Sequence, residues 1–365
     1  MKILYDGFIF SAQESGGISR YFASLIKRLP GEWRPVLRCR RIPKTVSQVH
    51  ARLQMQPFDF SRVKPEKLSF GLGRLYFKAL DKAGGYDIAH PTYHFLLPND
   101  RIKPRRSPLV ITIHDMIPEI FASELDREGY DARGKRAAIE AASAIICVSH
   151  NTKRDLQARF NIPDSRITVT HLASEVTRDM AFGAEPVPAE PYFLFMGNRG
   201  FYKNFVRCLL GFHRVAETWK DLTMCIIGSH LNATEREVIN SLNLGERVRH
   251  LGFVSDTHLA KLYRCSQALL YPSLYEGFGI PPLEAMACGT MVIASHRSSL
   301  PEVVGDAALI VNPESVEEIS EALLSLRGLG SARETFIGKG YKQAAQFTWE
   351  QTARKTIDVY QSLAA

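Results

Sequence analysis

The sequence predicts an α/β protein made of two doubly wound, Rossmann-like halves, and three observations carry that prediction. Strand-like runs of four to five residues, apolar on both faces, recur along the chain, and helix-period segments separate them. The 365 residues also exceed what a single core usually serves. Strands buried on both faces belong to parallel sheets covered by helices, and right-handed crossovers wind each half.

In the first half, strands are expected at Ile3–Tyr5, Ile88–His90, Leu109–Ile113, Ala144–Val148 and Ile167–Thr170, with helices over Ile18–Arg28 and Thr152–Phe160. In the second half they are expected at Phe193–Met196, Met224–Ile227, Ala268–Tyr271, Met291–Ala294 and Ala308–Val311. Residues 181–191 contain Pro186, Pro188 and Pro191. Proline fixes φ and lacks an N–H, so this segment reads as an extended linker. The domains are therefore placed at 1–185 and 186–345, with 346–365 as a terminal helix.

Composition narrows the classes. With 45% hydrophobic and 23% charged residues there is material for two cores, and disorder is excluded. The six cysteines form no CxxC pair and sit largely in apolar runs, as buried thiols of a reducing compartment do. Asp6 breaks the short N-terminal apolar run, and no stretch reaches the roughly 18 apolar residues of a membrane span. A cytoplasmic protein is expected.

The net charge of +8 is uneven. Between Gly31 and Arg106 sixteen Lys/Arg face six Asp/Glu, a surplus of 16 − 6 = +10, so the remainder is slightly acidic. Such a segment is either a solvated face or a patch for phosphates, which points to possible peripheral docking on an anionic membrane through residues 31–106. Aromatic residues are not interleaved as nucleic-acid platforms require, so no nucleic-acid partner is expected.

The most informative stretch is Tyr275-Glu-Gly-Phe-Gly-Ile-Pro-Pro-Leu-Glu-Ala-Met-Ala-Cys-Gly289, which follows the strand Ala268–Tyr271. It thus lies at a strand's carboxyl edge, where α/β sheets bind ligands. Gly277 and Gly279 allow close backbone approach; Pro281 and Pro282 suit a first helical turn, and Gly289 suits its end. A helix N-terminus beside such a turn favours anions. The prolines remove two donors and leave the N–H groups of Gly279, Ile280, Leu283 and Glu284. Glu276 and Glu284 would repel a phosphate unless they face hydroxyls, which a sugar nucleotide provides.

Glu276, seven intervening residues and Glu284 resemble the E-x7-E motif of the family-4 glycosyltransferases (glycosyl transferases group 1), of mannosyltransferase-like form. The resemblance implies a GT-B fold, with two Rossmann-like domains facing across a cleft, and a retaining enzyme that needs no metal or other cofactor. It implies that the N-terminal domain takes the acceptor, the C-terminal domain takes the nucleotide sugar, and the terminal helix at Phe347-Thr-Trp-Glu crosses back. Glu276 would be catalytic and would hold the donor sugar with Phe278 and Gly279, and Glu284 would bind the ribose. Ile280 and Leu283 would meet the diphosphate. Leu251-Gly-Phe-Val-Ser-Asp256 is similar to the turn on the nucleobase, which places Phe253 and Val254 beside it.

Supporting segments fit the same family. Phe193-Leu-Phe-Met-Gly-Asn-Arg-Gly-Phe-Tyr-Lys-Asn204 supplies Lys203, and Arg199 earlier in the turn, to neutralise the departing diphosphate. Tyr202 stands where the family commonly has Arg. Ser15-Gly-Gly-Ile-Ser-Arg-Tyr-Phe22 resembles the N-terminal glycine loop, with Gly16 and Gly17 toward the phosphates. His114, ending a buried strand in Ile-Thr-Ile-His-Asp, is expected to be catalytic and to touch the donor sugar; His90 and His94 end another strand. No Asp-x-Asp pair suited to Mg²⁺ is present, consistent with metal independence.

The expected function is hexose transfer, foremost mannose from GDP-mannose, to a glycan or lipid-linked acceptor in cell-surface polysaccharide synthesis. A UDP- or dTDP-sugar donor is the alternative. A phosphorylase-type enzyme would need a pyridoxal phosphate lysine, and Lys339, Lys342 and Lys355 lie in no such setting. A non-catalytic protein binding anionic surfaces or nucleic acid is the remaining alternative.

Overall fold

The computed structural model describes residues 1–364 except 14, 15, 47, 61, 62 and 98, with only the backbone described at 66, 82 and 83. Ser15 of the expected glycine loop and Arg62 of the basic segment lie outside the described residues. Two compact units result, Met1–Leu172 with Trp349–Ala365, and Ala173–Thr348.

In unit 1 the strands β1 (Lys2–Asp6), β2 (Arg34–Cys39), β3 (Gln54–Pro57) and β4 (Ile88–Ala89) pair in parallel in the order β3-β2-β1-β4. A small antiparallel pair, β5 (Phe95–Leu96) and β6 (Asp100–Arg101), follows. β7 (Val110–Ile113), β8 (Ala144–Cys147) and β9 (Ile167–Val169) then run parallel, joined to β4 by a bridge between Ala89 and Leu109.

Among the described residues of this part of the chain the helices are α1 (Phe8–Ala12), α2 (Gly17–Lys27), α3 (Glu66–Ala83), α4 (Ile117–Ile120), α5 (Ala122–Leu125), α6 (Tyr130–Ala141) and α7 (His150–Arg159). In α2, Tyr21, Phe22, Leu25 and Ile26 recur at helical spacing and are buried, which docks one face on the sheet. Ser149 caps α7 by accepting from the Thr152 N–H.

The C-terminal helix (Trp349–Ala364) packs into unit 1 through polar as well as apolar contacts. The Tyr360 hydroxyl lies 2.5 Å from His90 Nδ1 and 3.2 Å from the Tyr5 hydroxyl, while His90 Nε2 lies 2.9 Å from Thr112 Oγ1. All three rings are fully buried. Buried polar groups of this kind hold position because each must be satisfied.

Unit 2 is one parallel sheet. β10 (Tyr192–Met196), β11 (Thr223–Ile227), β12 (Val248–Gly252), β13 (Ala268–Tyr271), β14 (Val292–Ser295) and β15 (Leu309–Val311) lie in the order β12-β11-β10-β13-β14-β15. The helices are α8 (Phe205–Ala216), α9 (Ala233–Ser241), α10 (Asp256–Cys265), α11 (Ile280–Ala287), α12 (Leu300–Val304), α13 (Val316–Ser325) and α14 (Ser331–Ala344). Phe193, Phe195, Leu209, Phe212, Met224, Ile226, Ile293 and Leu323 form the core between sheet and helices. The strand order reverses between β10 and β13, and that reversal opens a crevice at the carboxyl edge.

Two expectations need correction. The division falls at Leu172/Ala173, ahead of the proline-rich segment, and unit 2 runs to Thr348 rather than 345. Residues 181–191 are not a free linker. The Pro186 carbonyl accepts from His258 at 2.8 Å, Ala181 is buried, and Arg264 stacks 4.0 Å over Phe182, so α10 holds the segment to unit 2. Prolines make a chain extended, but they do not keep it off a neighbouring surface. Five cysteines are buried thiols as expected; Cys265 is exposed.

Candidate functional site

The reversal point of unit 2 gathers the turn after β10 and the loop after β13. Gly197, at φ 110°, bends the chain out of β10, and a single 3₁₀ turn over Phe201–Lys203 leads to Asn204 in the left-handed region at φ 61°. Asn204 is 4% exposed, and its Nδ2 donates to the carbonyls of Pro272 (2.9 Å) and Pro313 (2.6 Å). The Leu274 N–H donates to the Tyr202 carbonyl at 2.7 Å. These bonds stitch turn to loop and fix the position of Lys203.

Lys203 Nζ donates to Glu276 Oε1 at 2.7 Å and Oε2 at 2.9 Å, and to the Tyr271 hydroxyl at 2.7 Å. The Lys203 and Glu276 side chains are 13% and 9% exposed. Tyr271 is fully buried; burial first, then the Glu276 carboxylate, raise its pKa well above the ordinary phenol value. The Glu276 backbone is held from the other side. Its N–H donates to Ser298 Oγ at 2.9 Å, and the Ser299 hydroxyl lies within hydrogen-bond reach of the carbonyls of Glu276 (2.9 Å) and Phe278 (2.7 Å).

Gly279 precedes α11 with φ 113°, and a Cβ there would stand 2.8 Å from Leu300 Cδ2, so only glycine fits without displacement. Glu284 is 5% exposed and accepts from the Tyr263 hydroxyl at 3.1 Å, which orients its carboxylate. Burial, then Glu284, raise the Tyr263 pKa well above its usual value. Phe278 is buried and packs edge-on to Phe347, with ring centroids 5.6 Å apart. At the end of β12, Phe253 is 84% exposed and Val254 is half-buried, after Gly252 at φ 70°.

Two expected phosphate ligands are corrected. Arg199 does not stand beside Lys203 as a waiting cation. Its Nε pairs with Glu235 Oε1 at 2.9 Å, and its Nη2 donates to the carbonyls of Ser229 and His230 at 2.7 Å each. Its side chain is 2% exposed. Glu235 also closes the capping box of α9 with Asn232, so Arg199 braces that helix start. For Leu283, α11 begins at Ile280, which makes Leu283 the fourth helical residue. The donors that a helix start leaves without an intrahelical partner lie ahead of the fourth residue, and with two prolines there they are those of Gly279 and Ile280.

The remaining expected residues belong to unit 1. Gly16 is the extended residue that precedes α2, and Gly17 opens that helix. His114 follows β7 with its ring edge-on to Tyr21 at 5.3 Å. Its Nε2 is buried without a hydrogen-bond partner among the described residues. Burial, against the opposing pull of Asp115, lowers its pKa to about 4, so the ring is neutral near pH 7. His90 lies in the network of the C-terminal helix, and His94 Nε2 lies 3.4 Å from Asp131. Sequence reasoning gave no site role to Tyr271 or Tyr263, and it marked Ser298-Ser-Leu-Pro-Glu302 only as similar to the family's loop after the next strand. Tyr271 ends an apolar strand, and only its hydroxyl hinted at a polar task.

A family model described as Glycosyl transferases group 1 matches residues 178–343, and one described as Glycosyltransferase Family 4 matches residues 15–176. Over 282 residues the chain is 34% identical to the O-antigen chain mannosyltransferase B of Escherichia coli, covering 73% of each protein. A sucrose-phosphate synthase from Thermosynechococcus elongatus is similar in structure at a TM-score of 0.77 and 19% identity, over 99% of this chain and 98% of that one. The Anabaena protein HepE, solved with UDP-glucose, is similar at a TM-score of 0.75 and 17% identity, over 99% and 100%. The fold shared with these neighbours is GT-B.

Proposed function

The chain belongs to glycosyltransferase family 4, and from that premise we propose that it moves mannose from GDP-mannose to a glycan or lipid-linked acceptor in cell-surface polysaccharide synthesis. The observation that carries this reading is the Lys203–Glu276 pair at the reversal point of the unit 2 sheet. The name of the Escherichia coli relative supports the sugar and the pathway class.

Glycosyl transfer builds negative charge on the departing diphosphate and positive charge on the sugar. Lys203 and the N–H groups of Gly279 and Ile280 answer the first, and the Lys203 ammonium is paired with Glu276. A diphosphate arriving there draws the ammonium to itself and frees the carboxylate for sugar hydroxyls. Glu284, oriented by Tyr263, suits a ribose diol, and exposed Phe253 with Val254 suits a base. Arg199 holds the scaffold rather than the phosphate. We assign retention of configuration and metal independence to the same reading, with Glu276 as positioner of the sugar and neutral His114 as a hydroxyl partner.

The test is transfer from labelled GDP-mannose by Glu276→Ala and Lys203→Ala, with calorimetric titration of GDP, UDP, dTDP and ADP with and without EDTA. Loss of transfer in both variants and nucleotide binding indifferent to EDTA are expected. Near-normal turnover in both variants would remove the site, and tighter binding of UDP or dTDP would move the donor.

We further propose a location on an anionic membrane, and α3 supports it. Leu68, Leu72 and Leu75 recur at helical spacing and are 51%, 40% and 66% exposed, opposite buried Phe77, with Lys67, Arg74 and Lys78 alongside. A leucine ridge flanked by cations suits the surface of an anionic bilayer. No helix among the described residues is long and apolar enough to cross a membrane. Leu72→Glu with Leu75→Glu is expected to abolish sedimentation with phosphatidylglycerol vesicles; unchanged sedimentation would remove this docking mode.

A further inference from the structure

A second charged concavity lies within unit 1, at the carboxyl edge of its sheet. There β1 ends at Asp6, β2 carries Arg38, and a cavity of about 150 Å³ opens between them and α3. This is the edge at which doubly wound sheets bind ligands.

Arg38 is the unusual member. It is 3% exposed, with its guanidinium over the rings of Phe77 and Tyr86 at 5.9 and 5.6 Å. Its Nη1 donates to Asp81 Oδ1 at 2.7 Å, and its Nε reaches Gln56 Oε1 at 3.5 Å. Its Nη2 is buried and has no hydrogen-bond partner among the described residues. Two N–H bonds of a buried cation are thereby unmet, a state that proteins avoid unless a ligand or water completes it.

The charge around the cavity points the same way. Arg38, Arg74, Lys78, Arg101, Lys103 and Arg105 line it against Asp6, Asp81 and Asp100, a surplus of 6 − 3 = +3. The carboxylates are already engaged. Asp81 Oδ1 serves both Arg38 and Arg105, at 2.7 and 3.1 Å, and Asp100 lies 3.7 Å from Arg74. Asp6 accepts the Leu97 N–H at 3.0 Å, and burial raises its pKa to about 7, so near neutrality it bears only part of a charge. Lys78, Arg101 and Lys103 stand exposed at the rim.

We propose that this cavity is a binding site for a single phosphate group, held by the Arg38 guanidinium on its wall and by Lys78, Arg101 and Lys103 at the mouth. Its volume is well below the roughly 300–1,000 Å³ of pockets that enclose a whole drug-sized ligand, so it takes one phosphate and not a nucleotide. The planar guanidinium fork matches phosphate geometry, and the rim supplies the remaining charge. That the phosphate is carried by the acceptor rests on the transferase reading above; the site itself does not.

The experiment is calorimetric titration of inorganic phosphate into the full-length protein, at ionic strength held constant with chloride. The unaltered protein is expected to bind one phosphate saturably. The exposed pair Arg101→Glu with Lys103→Glu weakens that binding at least tenfold, and Arg38→Gln abolishes it, while Lys203→Ala leaves it unchanged. Absence of saturable binding overturns the site. So does binding that Lys203→Ala removes and Arg101→Glu with Lys103→Glu spares, since the phosphate would then sit in the nucleotide site. Because Arg38 is buried, the rim pair keeps the test valid if Arg38→Gln fails to fold. GDP titrated into the same variants reads the transferase reading separately: GDP binding absent with phosphate binding intact faults that reading alone. Phosphatidic acid vesicles divide the sources. Displacement of bound phosphate supports a lipid-borne group at this site, and vesicle binding without displacement supports a soluble phosphate ester there.

Discussion

Units 1 and 2 share one winding scheme and differ in the ionisable groups buried beside their sheets. At the reversal point of unit 2, Lys203 pairs with Glu276 and Arg199 with Glu235, at 2.7 and 2.9 Å. Unit 1 has a buried pair too, Lys135 with Glu119 at 2.8 Å, but there burial also keeps His90 and His114 neutral and moves Asp6 toward its neutral form. A paired charge yields to a ligand that offers a stronger partner, whereas a group kept neutral by burial answers to pH. The comparison therefore separates residues that answer to substrate from residues that answer to solvent.

The largest effect expected is on the Arg199–Glu235 pair. Arg199→Met leaves Glu235 buried without its cation, and breaking a buried pair costs about 3–5 kcal/mol. A steep fall in melting temperature with GDP affinity within twofold of the original is expected by calorimetry. A loss of affinity at unchanged stability would return Arg199 to the phosphates and break the distinction. Lys203→Ala should instead act on rate, lowering turnover about 10²–10³-fold, the cost typical of removing one preorganised charge-stabilising donor. Steady-state kinetics with saturating donor checks it.

Tyr271→Phe sharpens the same contrast. Removing a hydroxyl that bonds a charged partner costs about 1.5–3 kcal/mol, so kcat should fall at least about tenfold with KM little changed. Equal turnover would make Tyr271 a packing residue only.

How much of this was legible depended on how far each feature reached along the chain. β13, the glycine turn and α11 were readable because a short apolar run, Gly277, Gly279 and the two prolines act locally, and Glu276 and Glu284 are eight residues apart. β2, β3 and β12 were not, because Arg34 and Arg38, Gln54 and Gln56, and Arg249 and His250 interrupt their apolar patterns. Arg199 was misread because its partner lies 36 residues away on another helix, and no local pattern announces Glu235. Leu283 was misread by the exact start of α11, which the prolines alone do not set.

The smallest effect belongs to unit 1 and to pH. Burial lowers His90 to about 3 and His114 to about 4, so the unfolded chain takes up protons there first as pH drops below about 6.5. Their contribution to stability is whole above that value and is lost toward pH 4. Asp6, raised to about 7, has the opposite sign: it binds its proton more tightly when folded, and its contribution is lost as pH rises from about 4 to 7. His94, also lowered by burial, and Asp131, lowered by its bond to His94, act in the same direction as the two histidines, so the net effect is a loss of stability on acidification. Melting followed from pH 7 to 4 checks it, and Asp6→Asn should steepen the decline. A flat profile would mean that these groups are hydrated in the native protein.

The resting contact of Lys203 on Glu276 also sets an order of events. Under the proposed function a neutral monosaccharide lacks the charge to draw the ammonium from the carboxylate, whereas a sugar nucleotide carries its own phosphates beside the sugar. The same ion pair would then discriminate against unactivated sugar without a separate filter.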